Sequence, residues 1–139
     1  MTRMALVTVA VIGLGIVARP DEKDKHESVR QLAARDIAEK LDGKEAKATT
    51  VEVTLYPGQE SAAHRHPGPG FGYVLEGEYE WAIDDQPSKI LKAGETFYEP
   101  TGCLHRVSKN LGTAKARLIA VVLHPRDAKQ VAVPESQKD

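Results

Sequence analysis

Residues 58–77 read GQESAAHRHPGPGFGYVLEG, and residues 94–110 read GETFYEPTGCLHRVSKN. The first stretch carries an HxH pair, His64-Arg65-His66. On a strand, side chains two apart share a face, so both imidazoles converge on one point and Arg65 turns away from it. The third histidine, His105, follows a separate strand signal and the tight turn Pro100-Thr101-Gly102-Cys103-Leu104. Three neutral imidazoles brought together from different strands suit a divalent transition metal and leave coordination positions open. A lone histidine is usually a surface or hydrogen-bonded residue. The glycines and prolines that punctuate these three argue instead for a built site.

Working outward, the surrounding sequence is a run of strands and turns. Thr49 to Tyr56 alternates Val51, Val53 and Leu55 against Thr50, Glu52 and Thr54, a half-buried strand closed by Pro57-Gly58. Phe71 to Leu75 and Tyr79 to Ile83 flank Glu76-Gly77-Glu78, which reads as a hairpin with Gly77 in its turn. Asp84-Asp85-Gln86-Pro87 is a second turn and Ala93-Gly94 a third. Thr96 to Glu99, His105 to Ser108 and Ala116 to Leu123 complete the set. Short strands in succession with no long helix between them indicate an all-β antiparallel sandwich or barrel.

The spacing of these residues resembles that of a known family. Gly58, five residues, His64-Arg65-His66, three residues, Gly70, six residues and Gly77 follow the first motif of the cupin superfamily, G-x5-H-x-H-x3/4-E-x6-G. Gly94, Pro100, Gly102 and His105 follow the second, G-x5-P-x-G-x2-H-x3-N. The chain resembles a small single-domain cupin from Thr49 to Leu123. The resemblance implies a double-stranded β-helix, or jelly-roll barrel, with a short N-terminal extension. It also implies that His64, His66 and His105 ligate a divalent transition metal such as Fe, Mn, Ni, Cu or Zn. Two positions depart from the pattern. Gly70 stands where the family usually has a ligating glutamate or glutamine, and Asn110 lies one residue later than the motif places it.

The missing carboxylate shapes the expected chemistry. Three histidines alone leave more positive charge on the metal, with positions for water, dioxygen or a bidentate substrate. Gly68, Gly70 and Gly72 remove bulk and are expected to widen the cavity beside the metal. Glu99 is the candidate catalytic residue, because the resembled motif usually has an apolar residue before Pro100. It suits a partner to the ligands, an acid/base group or a substitute ligand. A glutamate at a strand end is more commonly solvated, and that reading stands beside it. Cys103 reads as a small loop residue, with a thiolate ligand as the alternative. Glu60 and Glu76 lie near the motifs, and Glu76 reads as solvated. His26 and His124 have no partner in sequence and read as surface residues.

Length and composition set the bounds. A chain of 139 residues suffices for one domain with a core, not two. With 20 acidic against 19 basic residues, no net field recruits nucleic acid. One cysteine excludes an intrachain disulfide. Residues 1–20 form an apolar segment: Arg3 precedes an uncharged run from Met4 to Ala18. As a helix it would be about 22 Å long, short of the roughly 30 Å hydrocarbon core. It reads as a secretory signal peptide or anchor, which implies export or membrane attachment. The alternative is a Val- and Ile-rich strand ending at Pro20, which would leave the protein cytoplasmic.

Residues 21–47 are a charged lead-in, 48–125 the barrel and 126–139 a polar tail, frayed from Pro134 onward. Within the lead-in Val29, Leu32, Ala33, Ile37 and Leu41 fall at helical spacing. The competing reading is a strand from Val29 to Ala34 and then a helical turn ending at Gly43. Tyr73, Tyr79, Trp81, Phe97 and Tyr98 are divided among barrel, ligand cavity and the face of an expected homodimer. The functional expectation is a metal-dependent enzyme, oxygenase-like, acting on a small organic molecule. A non-catalytic module that binds or senses a small molecule is the alternative, since one fold hosts many activities.

Overall fold

The computed structural model describes residues 27–136. Ten strands follow in order: β1 (Ser28–Leu41), β2 (Lys44–Leu55), β3 (His64–Arg65), β4 (Gly70–Glu76), β5 (Glu78–Ile83), β6 (Lys89–Lys92), β7 (Thr96–Glu99), β8 (Leu104–Lys109), β9 (Ala116–Pro125) and β10 (Val133–Pro134). They form two five-stranded antiparallel sheets, ordered β1-β2-β9-β4-β7 and β10-β3-β8-β5-β6. The all-β expectation and the double-stranded β-helix are both met.

Alternation drives the packing. Leu55 and Val53 of β2, Leu118 and Ala116 of β9, Val74 of β4 and Phe97 of β7 point inward from one sheet. Tyr79, Trp81 and Ile83 of β5 meet them from the other. Phe97 lies between Tyr79 and Trp81, with ring centroids 5.7 Å from each, so one aromatic ring ties the two sheets. Asn110, fully buried, donates from Nδ2 to the carbonyls of Leu55 and Ala114 and accepts from the Gly112 N–H. Its displaced position therefore serves to fasten a turn.

Four local expectations change. Gly77 does not turn a hairpin, because β4 pairs with β7 and β9 whereas β5 pairs with β6 and β8. The chain crosses from one sheet to the other there, with Gly77 at φ 77° and no room for a side chain, since a Cβ would strike the backbone of Lys115 and Ala116. The lead-in holds no helix after Glu27: Ser28–Leu41 is one strand paired with β2. Register shifts between Gln31 and Ala33 and between Ile37 and Lys40 break its alternation, which is why its apolar spacing imitates a helix.

Nor is Pro134 frayed, since β10 pairs with β3 and Arg65 donates to the Glu135 carboxylate at 2.9 Å. His124 is 3% exposed and shares a hydrogen bond of 2.8 Å with the Thr49 hydroxyl, so it is an interior residue rather than a surface one. Among the described residues no helix is long and apolar enough to cross a membrane. The apolar segment 1–20 and His26 lie outside them.

Candidate metal centre

The inner face of the second sheet assembles the histidines. β3 and β8 are neighbours in a register that sets His64 directly opposite His105, and His66 follows β3 by one residue. The ring centroid of His64 lies 4.8 Å from those of both His66 and His105. One ligating nitrogen from each of the three lies within 4.8 Å of the others. Arg65 points the other way, donating to Glu135 and to the Gly102 carbonyl.

Hydrogen bonds fix which nitrogen of each ring carries its proton. His64 Nδ1–H donates to the Ala62 carbonyl at 2.9 Å and His66 Nδ1–H to the Val131 carbonyl at 2.6 Å. Both Nε2 atoms are therefore bare lone pairs in the neutral rings. His105 Nε2–H donates to the Tyr79 hydroxyl at 3.1 Å, which in turn donates to Ser108 Oγ at 3.0 Å. Burial holds the Tyr79 phenol well above its ordinary range, so it stays a donor. The remaining His105 Nδ1 is buried and has no hydrogen-bond partner.

Glu99 closes the group, and the solvated reading is overturned. The residue is 2% exposed and enters from β7 in the opposite sheet. Its Oε1 accepts from Trp81 Nε1–H at 3.0 Å and lies 3.1 Å from His105 Nδ1. Its Oε2 lies 3.2 Å from His66 Nε2. Burial raises its carboxyl, but His66, His105 and the Trp81 donor together outweigh that and leave it below the ordinary value. Burial drives His105 down to about 4 and lowers His64, so both are neutral near pH 7. Burial also acts to lower His66, but Glu99 and the Val131 carbonyl outweigh it and raise the ring.

These residues fit a divalent cation. Bare imidazole nitrogens face one another and a carboxylate, and an orphaned buried nitrogen is otherwise costly. Metal ligands whose far nitrogen is held by a carbonyl or hydroxyl are oriented in advance. Cys103 is set aside as a ligand: burial pushes its thiol up to about 11, and it packs in the core cluster. Glu76 pairs with Lys115 at 3.0 Å, at the edge of the barrel.

A cavity of about 240 Å³ opens beside the group, lined by the three histidines with Glu27, Phe97 and Leu118 among its walls. The three glycines do not widen it. A Cβ on Gly68 would strike the Leu123 carbonyl, one on Gly72 would enter the Phe97 ring, and one on Gly70 would meet Glu99 Cβ and Oε2 at 3.5 Å. Gly68 and Gly72 make room for a neighbour instead, whereas Gly70 stands only at ordinary contact distance from Glu99. Glu27 escaped the sequence reading. Burial against the cavity raises its carboxyl to about 7, and a single carboxylate in a charged lead-in gives no sign of that. The Val131 carbonyl escaped too, because a backbone acceptor leaves no mark on residue type.

Two antiparallel sheets closed over a three-histidine cluster define a double-stranded β-helix protein with a candidate metal centre. Residues 51–122 match the cupin domain family, and the chain belongs to it. Among curated proteins it is similar to "Phomopsin biosynthesis cluster protein C'" of Diaporthe leptostromiformis, 34% identical over 74 residues. That match covers 53% of this chain and 39% of the relative, so the chain spans well under half of it. Among solved structures an oxalate oxidase has a TM-score of 0.59 at 25% identity, covering 78% of this chain and 55% of that one. A double-stranded β-helix protein from Klebsiella pneumoniae has a TM-score of 0.62 at 21% identity, covering 92% and 100%. A DMSP lyase from Ruegeria pomeroyi has 0.61 at 20%, covering 88% and 59%. The last two show the fold alone.

Proposed function

We propose that this cupin binds one divalent transition metal through His64, His66 and His105 and acts as an oxygenase-like enzyme on a small organic molecule. The observation that carries the reading is the set of three imidazoles oriented by Ala62, Val131 and Tyr79 with their remaining nitrogens turned to one point. The metal, when bound, supplies Lewis acidity and an anchor for a chelating substrate. The cavity is below the usual range for drug-sized ligands, roughly 300–1,000 Å³, which suits a small acid, enol or diol. Glu27, poised near neutrality on the cavity wall, is suited to carry a proton to or from the bound molecule. Similarity to an oxalate oxidase supports a catalytic role for the fold without naming this substrate.

Purified protein should contain about one metal per chain, and His66→Ala should lose most of it while the barrel still melts cooperatively. Undiminished metal in that variant would remove the site assignment. Aerobic and anaerobic incubation with a panel of small acids, enols and diols then tests the reaction. Oxygen consumption with product supports the enzyme, while ligand binding without turnover supports the binding or sensing module. Export or membrane attachment through the first 20 residues is proposed on the sequence, and fractionation of the native host tests it: full-length chain free in the cytoplasm would reject it. A homodimer is proposed on the outer face of β4 and β7, where Phe71, Tyr73 and Tyr98 are each about half exposed and the Phe71 and Tyr98 rings lie 5.2 Å apart. A monomeric mass by light scattering would reject it.

A further inference from the structure

We infer that Glu99 is a fourth metal ligand, supplied from β7 in place of the carboxylate missing at Gly70. The inference rests on the proposed metal binding by the three histidines and adds a donor from the opposite sheet. Gly70 and Glu99 are direct partners in the β4–β7 ladder. A side chain on Gly70 would start 3.5 Å from both Cβ and Oε2 of Glu99, so the two positions feed one space. The glycine keeps that space clear, and the glutamate fills it.

The lone pairs agree. His66 Nε2 and His105 Nδ1 are both without a proton in the neutral rings, yet each faces a Glu99 oxygen, at 3.2 and 3.1 Å. Acceptors repel unless a cation or a proton lies between them. Two donors on one ion at about 2.1 Å are separated by roughly 3.0–3.4 Å for right-angle to tetrahedral arrangements. The separation of His66 Nε2 from Oε2 falls in that interval. Trp81 Nε1–H holds Oε1, which fixes the carboxylate plane and leaves Oε2 turned to His66. Anchoring one oxygen of a ligating carboxylate is how a ligand is held in a chosen orientation.

The consequence is a site with three imidazoles and one carboxylate whose acidic ligand comes from the second motif rather than the first. Its net charge is one unit lower than that of the open three-histidine site, and a substrate finds one position fewer.

Relocating the ligand provides the test, read as Co(II) affinity by titration and as thermal melting of the metal-free protein. Wild type should bind one Co(II) per chain. Glu99→Gln should bind it on the order of 100-fold more weakly, the upper range for disrupting a metal site's carboxylate partners. The double variant Gly70→Glu/Glu99→Ala should recover to within about tenfold of wild type, because a carboxylate again reaches the same space. A purely structural glutamate would not be rescued from position 70. Wild-type affinity in a folded Glu99→Gln variant overturns the inference and leaves the three-histidine reading intact. Failure of wild type itself to bind Co(II) overturns the metal reading. Should Glu99→Gln not fold, a crystal structure of Co(II)-loaded wild type decides. A Glu99 oxygen on the ion supports the assignment, and three imidazoles completed by water alone reject it.

Discussion

Two neighbouring pairs on the same ladder, Gly70 with Glu99 and Gly72 with Phe97, use one device for opposite ends. In each, β4 gives up a side chain so that β7 can reach across the barrel. At Gly72 the intruder is an aromatic ring locked between Tyr79 and Trp81, and the space is filled with no slack. At Gly70 the intruder is a carboxylate with ordinary van der Waals clearance, held by Trp81 and facing two histidines. The first glycine is demanded by packing and the second by chemistry. Two residues along a strand therefore separate the part of the interior that cannot give from the part that leaves ordinary clearance around a buried carboxylate.

The largest effect expected from breaking this contrast is at Gly72. Gly72→Ala should destabilise the fold by about 3 kcal/mol or more, the upper range for overpacking a core. Adding Phe97→Leu should return part of the loss in urea unfolding. A neutral Gly72→Ala would show that the ring is not wedged there.

Next comes pH. The raised His66 ring and the lowered Glu99 carboxyl share a proton in the metal-free protein. That pair stabilises the fold fully between the ordinary carboxyl value of 4.5 and the ordinary histidine value of 6.5. Its contribution is lost as pH rises through the raised His66 value, and again as pH falls through the lowered Glu99 value. A metal must displace the proton, so Co(II) affinity should rise about tenfold per pH unit until pH passes the His66 value, then level off. An affinity flat with pH through neutrality would mean that His66 is not a ligand.

The smallest effect sharpens the comparison. Gly70→Ala should change the stability of the metal-free protein by no more than about 0.5 kcal/mol, because its Cβ meets Glu99 only at contact distance. Gly70 is also not among the residues with positive φ, so no backbone strain attends the change. A large loss would place this glycine with Gly72.

What the sequence could reveal follows from how each feature is written in it. Strands alternating as Thr49 to Tyr56 does, and glycines at fixed distances from His64, His66 and His105, encode the barrel and the histidine cluster directly. Parity also carried two signals that local reading overrode. Glu99 shares its face with buried Phe97, and His124 shares its face with Leu118 and Val122, so both had to point inward. β1 was obscured because its bulges spoil the period. Gly77 was obscured because a crossover between sheets and a hairpin use the same residue type. Glu27 and the Val131 carbonyl act through position in space alone.

The Val131 carbonyl and the short β10 strand bear on how the molecule is made. His66 is oriented by an atom 65 positions further along the chain, and Arg65 is clasped by Glu135 still later. Chains emerge from the ribosome N-terminal end first, at about 5–20 residues per second. All three histidines leave the tunnel well before the segment that aligns one of them. A nascent barrel thus presents the three histidines for about 1–5 s before the clasp on His66 arrives. On the proposed metal binding, the ion taken up would depend on when the clasp closes as much as on the affinity of the finished site.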